Sequence, residues 1–203
     1  PTAEAAKEHG GSSIERVDIE ARDEFGRTLL HTAAQRNSLD VARELIDLGA
    51  DIEAKEDEGG TPLHMAAANN SLDVTRLLID LGADIEARTE LGTTPLHTAA
   101  LRNSTDVARL LIDLGADIEA ENDGITPLHT AARYDSLDVA RLLIELGADI
   151  EGKSNSPDLA HLNKLNIAEL TPLHRAAHYN SLEVARLLIE KGANTVGIDL
   201  SWM

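Results

Sequence analysis

Apolar positions along this chain fall in two kinds of block. A short block has small apolar residues at helical spacing. A longer one follows after a polar turn, and then comes a polar stretch with no helical period. The stretch from Thr61 to Gly92 shows the unit. Leu63, Ala66 and Ala67 make a narrow stripe, slim enough to let a neighbouring helix come close. Val74, Leu77, Leu78 and Leu81 make a wider one. Both spacings predict helices. Thr61 suits an N-cap, and Pro62 suits the first helical position, where the backbone N–H has no helical partner. Asn70 stands where the chain must turn and tolerates left-handed backbone. Ser71 is expected to cap the second helix, with Asp73 in its first turn facing the positive end of the helix dipole. Gly82 is expected to stop that helix, and "ADIEARTELG", Ala83 to Gly92, to run extended to the next unit.

The unit recurs. Thr-(Pro/Leu)-Leu-His begins at Thr28, Thr61, Thr94, Thr126 and Thr171. The spacings set a period near 33, with about 12 extra residues in the last interval. One such helix pair cannot bury its own apolar faces, whereas stacked pairs merge them into a continuous core. "G-x-TPLHxAA" followed by "VxxLLIxxGADIxA" resembles the ankyrin repeat in period, motif and order, from about Val17 to Gly192 apart from the longer interval. The resemblance implies an all-α solenoid of stacked helix-turn-helix units with short β-hairpin-like turns. Residues 1–16 are expected to form an N-terminal cap or linker, with Ala3 to His9 as a short helix, and residues 17–203 the repeat array. Leu29 replaces Pro in the first unit at small cost, since Leu is a good helix former. An insertion occupies about residues 152–170. Within it Ser156-Pro157-Asp158 reads as a helix start, and Leu159, Leu162 and Leu165 could share a face. It is either a tolerated surface excursion or a partner-contacting element. A C-terminal cap is expected over about residues 193–203, where Val196, Ile198, Leu200 and Trp202 would cover the last face.

Composition narrows the function. The chain has 1 Trp, 2 Tyr and 1 Phe, so its core must come from Leu, Ile, Val and Ala. The formal net charge of −18 argues against binding nucleic acid through its phosphates and against an anionic membrane surface. No apolar run approaches the roughly 20 residues of a membrane span, and no signal-peptide pattern is present. Zero cysteines exclude disulfides and cysteine-ligated metals, and fit the cytoplasm or another reducing intracellular compartment. Because the first residue is Pro1, the chain is expected to be trimmed from a longer one, with room for further repeats or a catalytic domain.

The candidate chemistry is thin. Five of the eight histidines, His31, His64, His97, His129 and His174, belong to the repeating motif. In ankyrin repeats this His resembles a structural element bonded near the repeat junction. "HRAAH", His174 to His178, lacks the glutamate of the zinc-protease motif. The recurring Asp51, Asp84, Asp117 and Asp149, with Glu53, Glu86, Glu119 and Glu151 two residues on, follow the fold period and so point to the scaffold. The resemblance places Glu where ankyrin hydroxylases modify Asn, so that modification is not expected. "EDE", Glu56 to Glu58, reads as a solvated turn tip. Asp40 with Arg43, and Asp106 with Arg109, are spaced to pair along the outer helices. Phosphate loops, triad signatures and nucleotide fingerprints are lacking, so no enzyme, cofactor or metal site is expected.

What varies between units guides function. Variation falls at the turn tips, at the ends of the first helices and after the motif His, places that in ankyrin proteins line the concave face. Arg36, Met65, Leu101, Arg102, Arg133, Tyr134, Arg175, His178 and Tyr179 are therefore the expected partner-binding residues. Tyr and Arg are over-represented at binding hot spots. The reading is a protein-interaction module, the targeting part of a larger protein, that takes a protein or peptide segment on its concave face. A monomer is expected, with no nucleic acid or membrane partner. The alternative is a structural or self-associating array with no dedicated groove.

Overall fold

The computed structural model describes residues 18–154 and 170–201. The expected N-terminal helix, the insertion leucines and Trp202 lie outside those residues. Among the described residues the chain forms ten helices: α1 (Leu29–Gln35), α2 (Leu39–Asp47), α3 (Pro62–Ala68), α4 (Leu72–Asp80), α5 (Pro95–Arg102), α6 (Thr105–Asp113), α7 (Pro127–Tyr134), α8 (Leu137–Glu145), α9 (Pro172–Tyr179) and α10 (Leu182–Glu190). They pair as antiparallel units, and each unit packs on the next, odd helices on odd and even on even. The result is an all-α repeat solenoid. The core runs unbroken through it, with Ala66, Ala67, Val74, Leu78, Ala99, Ala100, Leu111, Ala131, Ala132 and Leu143 fully buried. Paired alanines let the odd helices close up, and the leucines of the even helices fill the space behind them.

Helix ends follow the turn chemistry read from the sequence, with one correction. Asn37, Asn70, Asn103, Asp135 and Asn180 have φ of 51°, 52°, 54°, 52° and 56°, the left-handed region where a short polar side chain is tolerated. Ser71 does not cap α4, and its hydroxyl is buried without a partner. The cap comes from the preceding unit. Asn37 Oδ1 accepts the Val74 N–H at 3.1 Å, and Asn70 and Asn103 do the same for Val107 (3.1 Å) and Val139 (3.0 Å). These N–H groups sit at the third helical position and have no partner within their own helix. The Asn amide also donates to the first-turn carboxylate of the next unit, Asp73 (3.1 Å), Asp106 (2.9 Å) or Asp138 (3.1 Å). Asp106 is therefore engaged across the junction. Among the described residues neither it nor Asp40 forms the ion pair with Arg109 or Arg43 that the spacing suggested.

The fourth junction departs from this rule. There Asp135 still accepts the Val184 N–H, at 3.0 Å, but a carboxylate cannot donate, and the equivalent first-turn position holds Glu183. Asp135→Asn should restore the missing bond and remove a like-charge pair, raising stability by about 1 kcal/mol. A denaturant titration with an unchanged or lower midpoint would refute this.

A second ladder explains the recurring glutamates. Glu20, Glu53, Glu86, Glu119 and Glu151 accept backbone N–H groups from Asp51, Asp84, Asp117, Asp149 and Asn194 of the next turn, at 2.7–2.9 Å. The repeated acids are scaffold, as their period suggested. The insertion leaves a closed neck, since Ser154 and Leu170 exchange two backbone bonds of 2.9 Å. At the C-terminal end Ile198 packs on the core, whereas Val196 is 82% exposed and covers nothing.

Candidate functional site

Two sets of residues could carry chemistry: the motif histidines and the variable face. The histidines are committed to the fold. The Thr28, Thr61, Thr94, Thr126 and Thr171 N–H groups point at Nδ1 of His31, His64, His97, His129 and His174, at 3.1–3.5 Å. A backbone N–H can only donate, so Nδ1 accepts and the ring proton sits on Nε2. Nε2 then donates to a carbonyl of the following turn: Gly60 (3.1 Å), Thr93 (3.0 Å), Ile125 (2.9 Å) and Leu170 (3.1 Å) for the first four histidines. Leu170 reaches this place because the insertion is tied off at its base. Burial holds all five below the usual histidine range, and His97 and His129 fall to about 4. These are neutral junction residues with both nitrogens engaged in the first four units. Among the described residues no cluster of three or more histidine or acidic side chains is placed to hold a metal.

The variable positions form a groove. Its walls are the turn tips on one side and the last turns of α3, α5 and α7 on the other, enclosing about 390 Å³. Met65, Ala68, Leu91, Leu101 and Ile125 provide its apolar surface. Glu56 and Glu58 lie toward the second unit, and Arg102 and Arg133 toward the third and fourth. The helix ends place the arginines. Arg102 is the last residue of α5 and Arg133 the last but one of α7, just before the left-handed Asn103 and Asp135, and both border the concavity. Leu91 is 76% exposed and Tyr134 48%, large apolar surface for a chain this acidic.

The candidate residues divide. Met65, Leu101, Arg102, Arg133 and Tyr134 line the groove together. Arg133 lies over the Tyr134 ring, 5.3 Å from its centroid, and over the Tyr179 ring at 4.8 Å. Such cation–π contacts orient the guanidinium. Tyr179 is half-buried, with the exposed His178 edge-on to it at 4.8 Å. Arg36 is exposed but does not line the groove, which starts one unit later. Arg175 is a correction. It borders the groove yet is 0% exposed, and so does not offer its charge at the surface. The place after the motif His is half-buried in every other unit. There the Arg side chain lies against α7, near enough to His129 for its charge to help lower that histidine's pKa.

Of the acidic wall, Glu58 stands at a variable turn tip, and Glu56 was missed. Glu56 was read as solvated, but it both closes its turn by accepting the Gly60 N–H at 2.8 Å and borders the groove. Leu91 and Ile125 stand at turn tips, one of the places where the units vary. The family resemblance, rather than the residues themselves, placed the tips and the helix ends on one face.

Family comparison agrees with this geometry. A model described as ankyrin repeats (3 copies) matches residues 5–89 and 83–154, and one described as ankyrin repeats (many copies) matches residues 128–189. No curated protein matches the chain.

Proposed function

We infer the function from the premise that the chain belongs to the ankyrin repeat family, whose members are generally protein–protein interaction modules. Among the described residues no helix is long and apolar enough to cross a membrane. The family is typically non-enzymatic. The finer reading is that this chain holds an extended or helical segment of a partner protein in the concave groove.

One observation supports it above the others. The groove combines an apolar floor with charges of opposite sign at its two ends, Glu56 and Glu58 against Arg102 and Arg133. A segment with an apolar centre fits in one direction only, its basic end toward the second unit and its acidic end toward the fourth. Arg can grip a carboxylate bidentately, and Tyr134 contributes area with few torsions to freeze. With a net charge of −18, close contact rather than long-range attraction must supply the affinity for the acidic end.

Tyr134→Ala and Tyr179→Ala should each weaken binding of a partner captured by pull-down by about 1–3 kcal/mol, as aromatic anchors do. Tyr134 acts by direct contact and Tyr179 by holding Arg133 in place. Isothermal titration beside thermal melts tests this. Wild-type affinity in both variants would mean the groove is idle. Light scattering separates this reading from a self-associating array, which would show a concentration-dependent mass.

A further inference from the structure

The outer side of the solenoid carries a feature that neither the groove nor the core explains. Leu48, Leu81, Leu114 and Leu146 are 63%, 49%, 42% and 41% exposed. Leu81 was read as part of the buried stripe, but it sits at the C-cap of its helix and points outward, as do the other three. The even helices stack on one another, so the leucines line up along the solenoid. The fold does not require them. The fifth unit has Lys191 at the same C-cap, with φ −82° and ψ 0° against −80° and −4° for Leu48.

Each leucine stands between exposed carboxylates. One precedes it, from Asp47 in the first unit to Glu145 in the fourth, and another follows three residues later, from Asp51 to Asp149. Each leucine of the apolar ridge thus has one exposed acidic residue before it and another after it in the chain, in a protein of net charge −18. Arginines from Arg43 to Arg141 lie one helical turn before the preceding carboxylates, about 140° from the leucines, so that the carboxylates stand between them and the ridge.

We propose that this ridge is a second docking surface, independent of the groove, and that it takes a basic amphipathic helix of a partner protein. The charge selects a cationic partner and the spacing selects a helix. Packed helices lie about 8–10 Å apart, so the ridge presents one leucine at about that interval. A helix rises about 10.5 Å in seven residues and returns to nearly the same face. A strand covers a similar distance in three residues, but then points to its opposite face. Apolar residues seven apart, flanked by Lys or Arg, therefore match both the ridge and its borders.

The probe is a 22-residue lysine–alanine helical peptide with leucine at every seventh position. Its control has the same composition with the leucines spread around the helix. The first should bind at least tenfold more tightly than the control. Leu81→Lys with Leu114→Lys should reduce that binding at least tenfold and leave melting unchanged, since Lys191 already occupies the equivalent place. Arg102→Glu, in the groove, should bind the probe like the wild type. Equal affinity for both peptides would reduce the effect to net charge and overturn the proposal. So would full affinity in the leucine variant, or loss of affinity in the groove variant.

Discussion

Lowering the pH from 7.5 to 5 should destabilise this protein by several kcal/mol, through its junction histidines. Their pKa is lower folded than unfolded, so the unfolded chain takes up protons that the folded one refuses. Stability is full above the ordinary histidine value of 6.5 and falls as pH drops from there toward the folded value. For His97 and His129 that folded value is about 4, which sets the window at 6.5 to 4. At pH 5 each of these two should cost about 2 kcal/mol by linkage. His31, His64 and His174 shift the same way and add to it. The carboxylates work against this, because protonating them relieves the repulsion of a chain with net charge −18. The ordinary carboxyl range, about 4, lies below the upper part of the window. The histidine effect should therefore dominate between pH 6.5 and 5. Denaturant midpoints at pH 7.5, 6 and 5 would show it as a steady fall. A midpoint unchanged at pH 5 would mean that the rings protonate inside the folded array.

These same histidines show how much could be read before the structure. Their recurrence with the period marked them as structural, and the ladder through Nδ1 and Nε2 supplies the reason. The helix pairs, the left-handed Asn turns and the alanine stripe were also legible, because local propensity, turn chemistry and period all agree at those residues. What was not legible depends on packing between units. The cap on α4 comes from Asn37, distant in sequence, so Ser71 appeared to be the obvious candidate. Arg175 resembled its exposed neighbours by type, yet its place lies under the end of the groove. Leu81 fits the helical period and is nonetheless half exposed, because the helix ends at that residue. Periodicity assigns a face to a residue only while the helix lasts.

Removing one internal unit should separate fold from recognition. Deleting residues 94–125 joins Thr93 to Thr126 and rebuilds the local sequence "GTTPLHTAA" at the junction. Each ladder then finds an equivalent partner. Glu86 meets the Asp149 N–H in place of Asp117, and Asn70 meets Val139 and Asp138 in place of Val107 and Asp106. His64 keeps its own carbonyl at Thr93. No buried polar group is orphaned, so the shortened chain should fold cooperatively with a helical circular dichroism spectrum. Its stability should fall by about 2–5 kcal/mol, the share of one unit in a roughly additive array. Binding should suffer more than folding. The deletion takes Leu101, Arg102 and Ile125 from the groove and brings Arg133 one unit closer to Glu58. A partner that spans the full groove would lose both an arginine anchor and its register. The expected result is a folded protein whose partner binding drops at least tenfold, about 1.4 kcal/mol. Failure to fold would show that the units are not interchangeable, and unchanged affinity would place the partner outside the groove.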